Sequence, residues 1–396
     1  MKKLLVASVC AVAISSTFAA GFGLYEASAR GVGMGNGLVG STGDASANYH
    51  NPANLTECTN VQVMVGMTLI NPFCDVKVGG QYQPKMNAGW FPPPHAYIAA
   101  PIWADKLFIG FGTYCEFGLG TKYDNNWKLQ HDTTETTIEQ FTFNPNIAYK
   151  INKDWSVSFG ARMSYITFEN YKNPMFGNAS MLRTHLEGDD FNCGYQLSTS
   201  YKVDDNLSLG LVYRSRINHR LTGDFDTTGL ISGQVPSGDA KAKVVLPSSL
   251  TFGANYDFTK KFRGGVALTW TEWSTINHID FNLPAPSANT QNLNWHDSWR
   301  LGFGFEYDFT KSFTGRIGYS YDWDPSADAH GTTMLPPGDR HIVGFGIGYK
   351  FFDNWRLDLG YNFIMMESES RMVGAQKFQC DNSYSHIVSA SVTYTF

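Results

Sequence analysis

From Trp155 to Tyr165 the chain alternates without exception. Trp155, Val157, Phe159, Ala161, Met163 and Tyr165 are apolar, and Ser156, Ser158, Gly160, Arg162 and Ser164 lie between them. A period of two with a single apolar face is the signature of a β-strand, because successive side chains leave opposite sides of the pleat. The pattern returns in Trp299, Leu301, Phe303, Phe305, Tyr307 and Phe309 against Ser298, Arg300, Gly302, Gly304, Glu306 and Asp308. It returns again in Trp355, Leu357, Leu359, Tyr361 and Phe363 against Asn354, Arg356, Asp358, Gly360 and Asn362. A strand of this kind suits a wall with lipid on one side.

A short turn recurs between such strands: a Tyr, a few mostly polar residues, then an aromatic residue or Leu. Its copies are Tyr149–Trp155, Tyr201–Leu207, Tyr256–Phe262, Tyr307–Phe313 and Tyr349–Trp355, with Pro101–Leu107 as a looser one. Repeats at this spacing also occur in solenoids and propellers. The strict alternation of the flanks decides for membrane strands, with the aromatics at each turn forming an interfacial girdle. Five turns give ten strands, the C-terminal segment adds one, and segments near 61–70, 94–101 and 107–117 add three. That makes about fourteen, an even number as a single-chain bacterial barrel requires. The remaining connections, about 71–93, 118–138, 170–184, 222–240, 277–294, 324–338 and 367–383, are the expected extracellular loops.

Composition agrees. Aromatics are 15% of the chain, 39 of 396 residues are Gly, and only 16% are charged. Outside the first residues no apolar run is long enough for a transmembrane helix. Mean hydropathy is −0.24, since lipid-facing and lumen-facing residues average out. About 375 of the 396 residues remain after a signal peptide, which in a soluble protein would suggest two or three domains. A net charge of −5 predicts no nucleic-acid partner.

The two ends fix the compartment. Lys2-Lys3, an apolar run from Leu4 to Ile14 and small residues up to Ala19 read as a secretory signal peptide, residues 1–19. Phe396 closes an amphipathic strand, like the signal that outer-membrane assembly machinery reads. Residues 20–60 are rich in Gly, Ala, Ser and Asn and do not alternate. They are expected to fold as a hatch in the lumen, with 61–396 as the barrel. The run Gly31–Gly37 follows no strand and is no nucleotide loop. After the signal, Cys58, Cys74, Cys115, Cys193 and Cys380 remain. Cys58 and Cys74 are the candidate pair in an oxidising compartment, against a reading as free thiols.

Several stretches carry a resemblance. Ala20–Gly31, Asp44-Ala-Ser-Ala-Asn48 and Asn51-Pro-Ala53 come first. They are followed by Phe117–Tyr123, Tyr213-Arg-Ser215, Leu246–Leu250, Trp270–Ser274, Trp299–Tyr307 and Gly338–His341. In this order they resemble the FadL/TodX family, outer-membrane transporters of long-chain fatty acids and other hydrophobic molecules. The resemblance implies a fourteen-stranded all-β barrel with an internal hatch, a lumen pocket beside the hatch N-terminus, and a kink in the third strand. The ligand would leave through that kink, sideways into the membrane. Carried onto this chain, Phe22, Asn51, Pro52 and Ala53 belong to the pocket and hatch. Phe117 and Gly118 fall at the kink, with Gly112 as the alternative.

Arg162 and Arg300 are the candidates to meet a ligand carboxylate, with Arg214, Arg316 and Arg356 behind them, because a guanidinium binds carboxylate bidentately. Glu306, Asp322 and Asp358 share those faces, so structural arginine–acid ladders are the competing reading. The expected partners are hydrophobic small molecules, lipid and the assembly machinery, and the expected state is a monomer. No cofactor or metal site is expected. Uptake of aromatic or other uncharged compounds is the alternative within this class. An open porin is the alternative outside it, and the segment 20–60 argues against that. An enzyme would need a nucleophile, a His and an orienting partner together, and no sequence motif joins them.

Overall fold

The computed structural model describes residues 21–86, 89–103, 105–176, 179–284, 290–327 and 329–396. The signal peptide expected at 1–19 lies outside them. Fourteen antiparallel strands close into a barrel. They are β1 (Gln62–Val78), β2 (Pro94–Trp103), β3 (Leu107–Tyr114, resumed as Gly118–Lys122), β4 (Glu135–Lys150) and β5 (Trp155–Lys172). Next come β6 (Leu182–Lys202), β7 (Leu207–Arg214 with Ile217–Gly229), β8 (Gly238–Leu246 with Ser249–Asp257), β9 (Phe262–Thr271) and β10 (Ser298–Asp308). β11 (Phe313–Asp322), β12 (Arg340–Phe351), β13 (Trp355–Met366) and β14 (Gln376–Thr395) complete the ring. β14 pairs back onto β1, from Gln62 opposite Thr395 to Val78 opposite Phe378. This pairing leaves no free edge between the first and last strands in lipid, where unpaired N–H and C=O groups are costly.

Four of the recurring turns have a common local cause, the fifth having Phe352, at φ 54°, in the corresponding place. Three residues before the strand start sits a polar side chain whose oxygen accepts from the backbone ahead of it. Asn152 accepts from the N–H groups of Asp154 and Trp155, each at 2.9 Å. Asp204 takes Asn206 and Leu207 at 2.7 and 2.9 Å. Thr259 takes Lys261 and Phe262 at 3.2 and 3.0 Å, and Thr310 takes Ser312 and Phe313 at 3.1 and 2.9 Å. Such side chains replace the turn's missing backbone partners. Beside each turn Trp155, Tyr201, Tyr256, Phe309, Phe313 and Tyr349 stand exposed on the outer face, while Ser156, Ser158, Arg162 and Ser164 are buried toward the lumen.

The other ends depart from expectation. Stretches expected as loops are partly strand: β1 runs on to Val78, Gly118–Lys122 and Glu135 onward are wall, and Glu369–Val373 forms a hairpin with β14. Polar residues do not prevent pairing where a neighbouring hairpin supplies a ladder, so the wall extends past its apolar band. Only 324–338 carries no strand among its described residues.

Residues 21–60 hold two short helices, α1 (Ala29–Gly33) and α2 (Ala47–His50), and a 3-10 helix, Pro52–Glu57. Ser28 caps α1 by accepting from the N–H of Gly31 at 3.0 Å. α1 packs on β11 to β14, and the 3-10 helix packs on β2 to β6. Between them the chain lies directly on the wall. Ser320 of β11 donates to the Gly35 carbonyl at 3.1 Å, and Asn255 of β8 to the Gly37 carbonyl at 2.9 Å. Wall glycines permit this approach: a methyl on Gly265 or Gly302 would overlap the carbonyl oxygen of Gly37 or Gly35. The segment thus meets inward-facing residues all the way round.

One charged joint ties this segment to the wall. Arg30 binds Asp44 at 2.9 Å and Glu306 of β10 at 3.1 Å. Glu306 also holds Arg263 at 2.5 Å and Arg316, and Arg316 reaches Asp358 at 2.8 Å. The arginine–acid ladder is therefore present. Of the two readings left open for Cys58 and Cys74, the structure does not bring them together as a pair. Cys58 sits among Tyr97, Phe108 and Tyr114, whereas Cys74 sits in a separate apolar cluster with Val76, Phe378 and Cys380.

Candidate ligand pocket and wall break

The third strand is interrupted. Tyr114 pairs with Thr142 of β4 and Gly118 pairs with Glu139, so three residues of β3 stand against two of β4. An extra residue bends the strand and frees backbone groups. Gln140 satisfies two of them, accepting from the N–H of Glu116 at 3.0 Å and of Phe117 at 3.3 Å. The first half of β3 pairs with β2, but Gly118–Lys122 has only β4 beside it as a barrel strand. The chain's own N-terminal residues take the vacant side. Gly23 bridges Phe117, the Gly118 N–H donates to the Phe22 carbonyl at 2.9 Å, and the Leu24 N–H to the Glu116 carbonyl at 2.7 Å.

Glu116 turns inward from this break. It accepts from Arg162 at 2.6 Å and Thr142 at 2.9 Å and pairs with Arg214 at 3.3 Å. Arg162 also donates to the Ser215 carbonyl at 2.7 Å, and Arg300 pairs with Asp322 at 3.3 Å beneath the ring of Tyr25. Tyr25, Glu116, Arg162, Arg214 and Arg300 line a polar cavity with Tyr49, His50 and Asn36. Both arginines considered for a ligand carboxylate thus already have acidic partners. Burial pushes the His50 imidazole down to about 3. Its Nε2 lies 2.9 Å from the Ser28 hydroxyl.

A second cavity, of about 670 Å³ and partly open to solvent, is apolar. Phe22, Leu119, Ile138, Phe168, Leu221, Trp295 and Met334 line it. Its charged lining residues, Lys243 and His278, both have exposed side chains. Lys243 lies between buried Ala242 and Val244 on the outward face of the alternation. An aromatic cluster separates the two cavities. The Phe22 ring lies 5.1 Å from Trp273, 5.6 Å from Phe117 and 6.1 Å from Trp295, and the two tryptophans meet at 5.4 Å. Phe22 and Trp295 face the apolar side, Phe117 and Trp273 the polar side.

The other residues singled out from sequence lie as follows. Asn51 caps the 3-10 helix, its side chain accepting from the Ala53 N–H at 3.1 Å, and Pro52 is the helix's first residue. Its amide also donates to Val39 at 2.8 Å and to Thr199 of β6 at 3.1 Å. Asn51-Pro-Ala therefore lies against the wall, away from the apolar cavity. Gly112 lies in the regular part of β3, opposite Tyr97 and Asn144, and is not at the interruption. Sequence reasoning missed the pocket's Met334 and Leu335, which come from the connection 324–338. That segment is held in the barrel by Tyr123, which donates to the Thr333 carbonyl at 2.8 Å, and by Asp132, which accepts the Thr333 N–H at 2.8 Å. No local periodicity marks such a loop. Trp273 did stand in a quoted stretch, but its inward turn follows from a 3-10 helix that only tertiary packing shows.

Ser164, His219 and Asp190 form a line: His219 Nδ1 lies 2.9 Å from Asp190, and Nε2 lies 3.1 Å from the Ser164 hydroxyl. This has the shape of a nucleophile–base–acid relay. Ser164, however, is 0% exposed, and its oxygen also accepts from Gln140 at 2.9 Å, so no substrate reaches it. The three satisfy one another as a buried polar network.

A closed membrane barrel with an interrupted strand, a cavity lined by buried ion pairs and an apolar pocket defines a transport protein of the outer membrane rather than an enzyme. Residues 10–396 match the family model for outer membrane protein transport proteins (OMPP1/FadL/TodX), and the chain belongs to that family. It is 24% identical over 404 residues to the long-chain fatty acid transport protein of Escherichia coli O6:H1, covering 89% of each chain. Among solved structures it resembles a FadL homologue of Pseudomonas aeruginosa, with a TM-score of 0.85, 20% identity and coverage of 95% and 100%. It also resembles the Pseudomonas putida toluene transporter TodX, with a TM-score of 0.74, 19% identity and coverage of 95% and 99%.

Proposed function

We propose that this protein takes up molecules with a long apolar part, fatty acids foremost, by burying that part in the Phe22 pocket and releasing it sideways at the β3 interruption. The pairing of Gly23 with Phe117 carries the proposal. The residues that fill the missing rung of the wall are continuous with the residue that lines the pocket. A ligand that displaces Phe22 pulls on Gly23 and Leu24 and so unpairs the break. Exit into lipid is favoured because each buried CH₂ is worth roughly 0.8 kcal/mol that a water-filled path would forfeit. Residues 21–60 act in this reading as the hatch, and their contacts around the wall argue against a hydrophilic pore.

The absence of a buried cation among the pocket's described lining residues favours a second reading, uncharged aromatic or aliphatic compounds. In the first reading a carboxylate stays in water at the open end. Both are tested by solvent extraction of the purified barrel and mass spectrometry of what co-purifies, with Phe22→Ala beside it. Losing the buried ring should weaken binding by about 1.5–3 kcal/mol, some ten- to hundredfold. Enriched fatty acids depleted in the variant support the first reading, and enriched neutral compounds support the second. An empty extract with conductance for small hydrophilic solutes refutes both.

A further inference from the structure

Cys74 on β1 and Cys380 on β14 both face the lumen near the outer end of the barrel, 3% and 0% exposed. They share one apolar cluster with Val76, Phe378, Tyr123 and Trp127. Val76 is the direct cross-strand partner of Cys380, so Cys74 lies on the diagonal. Diagonal neighbours in a regular antiparallel pair are about 7–8 Å apart, while a disulfide needs Cα atoms within roughly 4.4–6.8 Å. A regular ladder would hold these sulfurs apart. This ladder is not regular. Phe73 pairs with Tyr384 and Asp75 with Asp381, so Cys74 faces two residues of β14, Asn382 and Ser383. Asn382 takes the left-handed backbone such a bulge uses, at φ 47°. Bulges sharpen the local twist, and here the bulge falls at Cys74 itself, within the apolar cluster that holds both cysteines.

We propose that Cys74 and Cys380 form a disulfide in the mature protein, joining the first strand of the barrel to the last. An outer-membrane chain crosses the oxidising periplasm, where such bonds form and persist. The oxidant is an external disulfide, either an oxidised dithiol enzyme or a small-molecule disulfide. The thiolate of one cysteine attacks it and displaces one of its sulfurs as a thiolate. The thiolate of the other cysteine then attacks the resulting mixed disulfide and displaces the second. One S–S bond forms in the barrel, the donor's S–S bond breaks, and the donor takes up two electrons and the two protons. The choice of pair follows from position. Cys58 lies in a different cluster, and Cys193 is exposed on β6.

The bond would pin the β1–β14 seam above the point where β1 parts from β2, whose pairing ends at Met67 opposite Pro94. It is independent of which ligand the pocket holds. The test uses full-length protein taken from outer membranes without reductant and denatured in N-ethylmaleimide. Peptides are mapped by mass spectrometry before and after reduction, with Cys380→Ser as the control. A peptide pair containing Cys74 and Cys380, two hydrogens lighter than its parts and released on reduction, is the expected result. Both cysteines alkylated without reduction, or either linked elsewhere, overturns the proposal. The wild-type map decides even if the variant does not fold.

Discussion

Replacing Glu116 with Gln removes the one carboxylate that faces both Arg162 and Arg214 at the strand break. Glu116 is 6% exposed and Arg162 1%, so solvent cannot take over the lost charge. Removing one partner of a buried ion pair costs about 3–5 kcal/mol, chiefly because the remaining charge stays buried and unpaired. Two guanidiniums are left here, while the amide oxygen can still accept one hydrogen bond. The lower half of that range, about 3–4 kcal/mol, is the expected loss. With a urea dependence of roughly 1–3 kcal/mol per molar, the unfolding midpoint falls by about 1–4 M. The assay is urea unfolding in lipid vesicles, followed by tryptophan fluorescence and by the gel shift of unheated samples. Pairing Glu116→Leu with Arg162→Met removes a buried charge of each sign. Arg214 then keeps the Tyr49 carbonyl and the Tyr49 ring at 5.0 Å, so the double variant should lose less than Glu116→Gln alone. A single variant within about 0.5 kcal/mol of wild type, or a double variant that is simply additive, would show that the ion pairs do not hold the break.

Gly265→Val places a side chain where the Gly37 carbonyl lies. It should dislodge residues 21–60 from the wall and raise single-channel conductance in planar bilayers; unchanged conductance would refute the close-approach argument. Asn51→Ala loses the cap of the 3-10 helix and the anchor to Thr199, an expected destabilisation of about 1–2 kcal/mol, seen as faster proteolysis within residues 21–60. For His50 the sign runs toward acid lability. Its folded value is lowered to about 3 from an ordinary 6.5, so the unfolded chain binds the proton first. The stability is whole above about pH 6.5 and declines as pH falls toward 3. His50→Gln should flatten that part of the profile of unfolding midpoint against pH, and an unchanged slope would place the titration elsewhere.

The strands with one apolar face were legible because lipid on one side enforces a period of two, and nothing in the lumen has to be known to see it. The turns were legible for a local reason as well: Asn152, Asp204, Thr259 and Thr310 bond to backbone only two and three residues away. Strand ends at the outer side were not legible. β1 beyond Ile70 and β14 before Tyr384 hold each other by pairing across 300 or more residues of sequence, a contact no local window contains. The arginines illustrate the limit within the site. Alternation placed Arg162 and Arg300 on the lumen side, yet only the assembled barrel brings Glu116 and Asp322 to them.

Phe22 and the interruption beyond Tyr114 lie more than ninety residues apart in the sequence. By itself the chain determined a membrane barrel of about fourteen strands, its outward and inward faces, its short turns and a compact N-terminal segment, since each is written in periodicity or local hydrogen bonding. Tertiary structure alone decided that the N-terminal residues complete the broken wall, that an aromatic cluster divides an apolar pocket from a polar one, and that Cys74 shares an apolar cluster with Cys380 rather than with Cys58. Those are juxtapositions made by ring closure, and closure depends on the pairing of all fourteen strands at once.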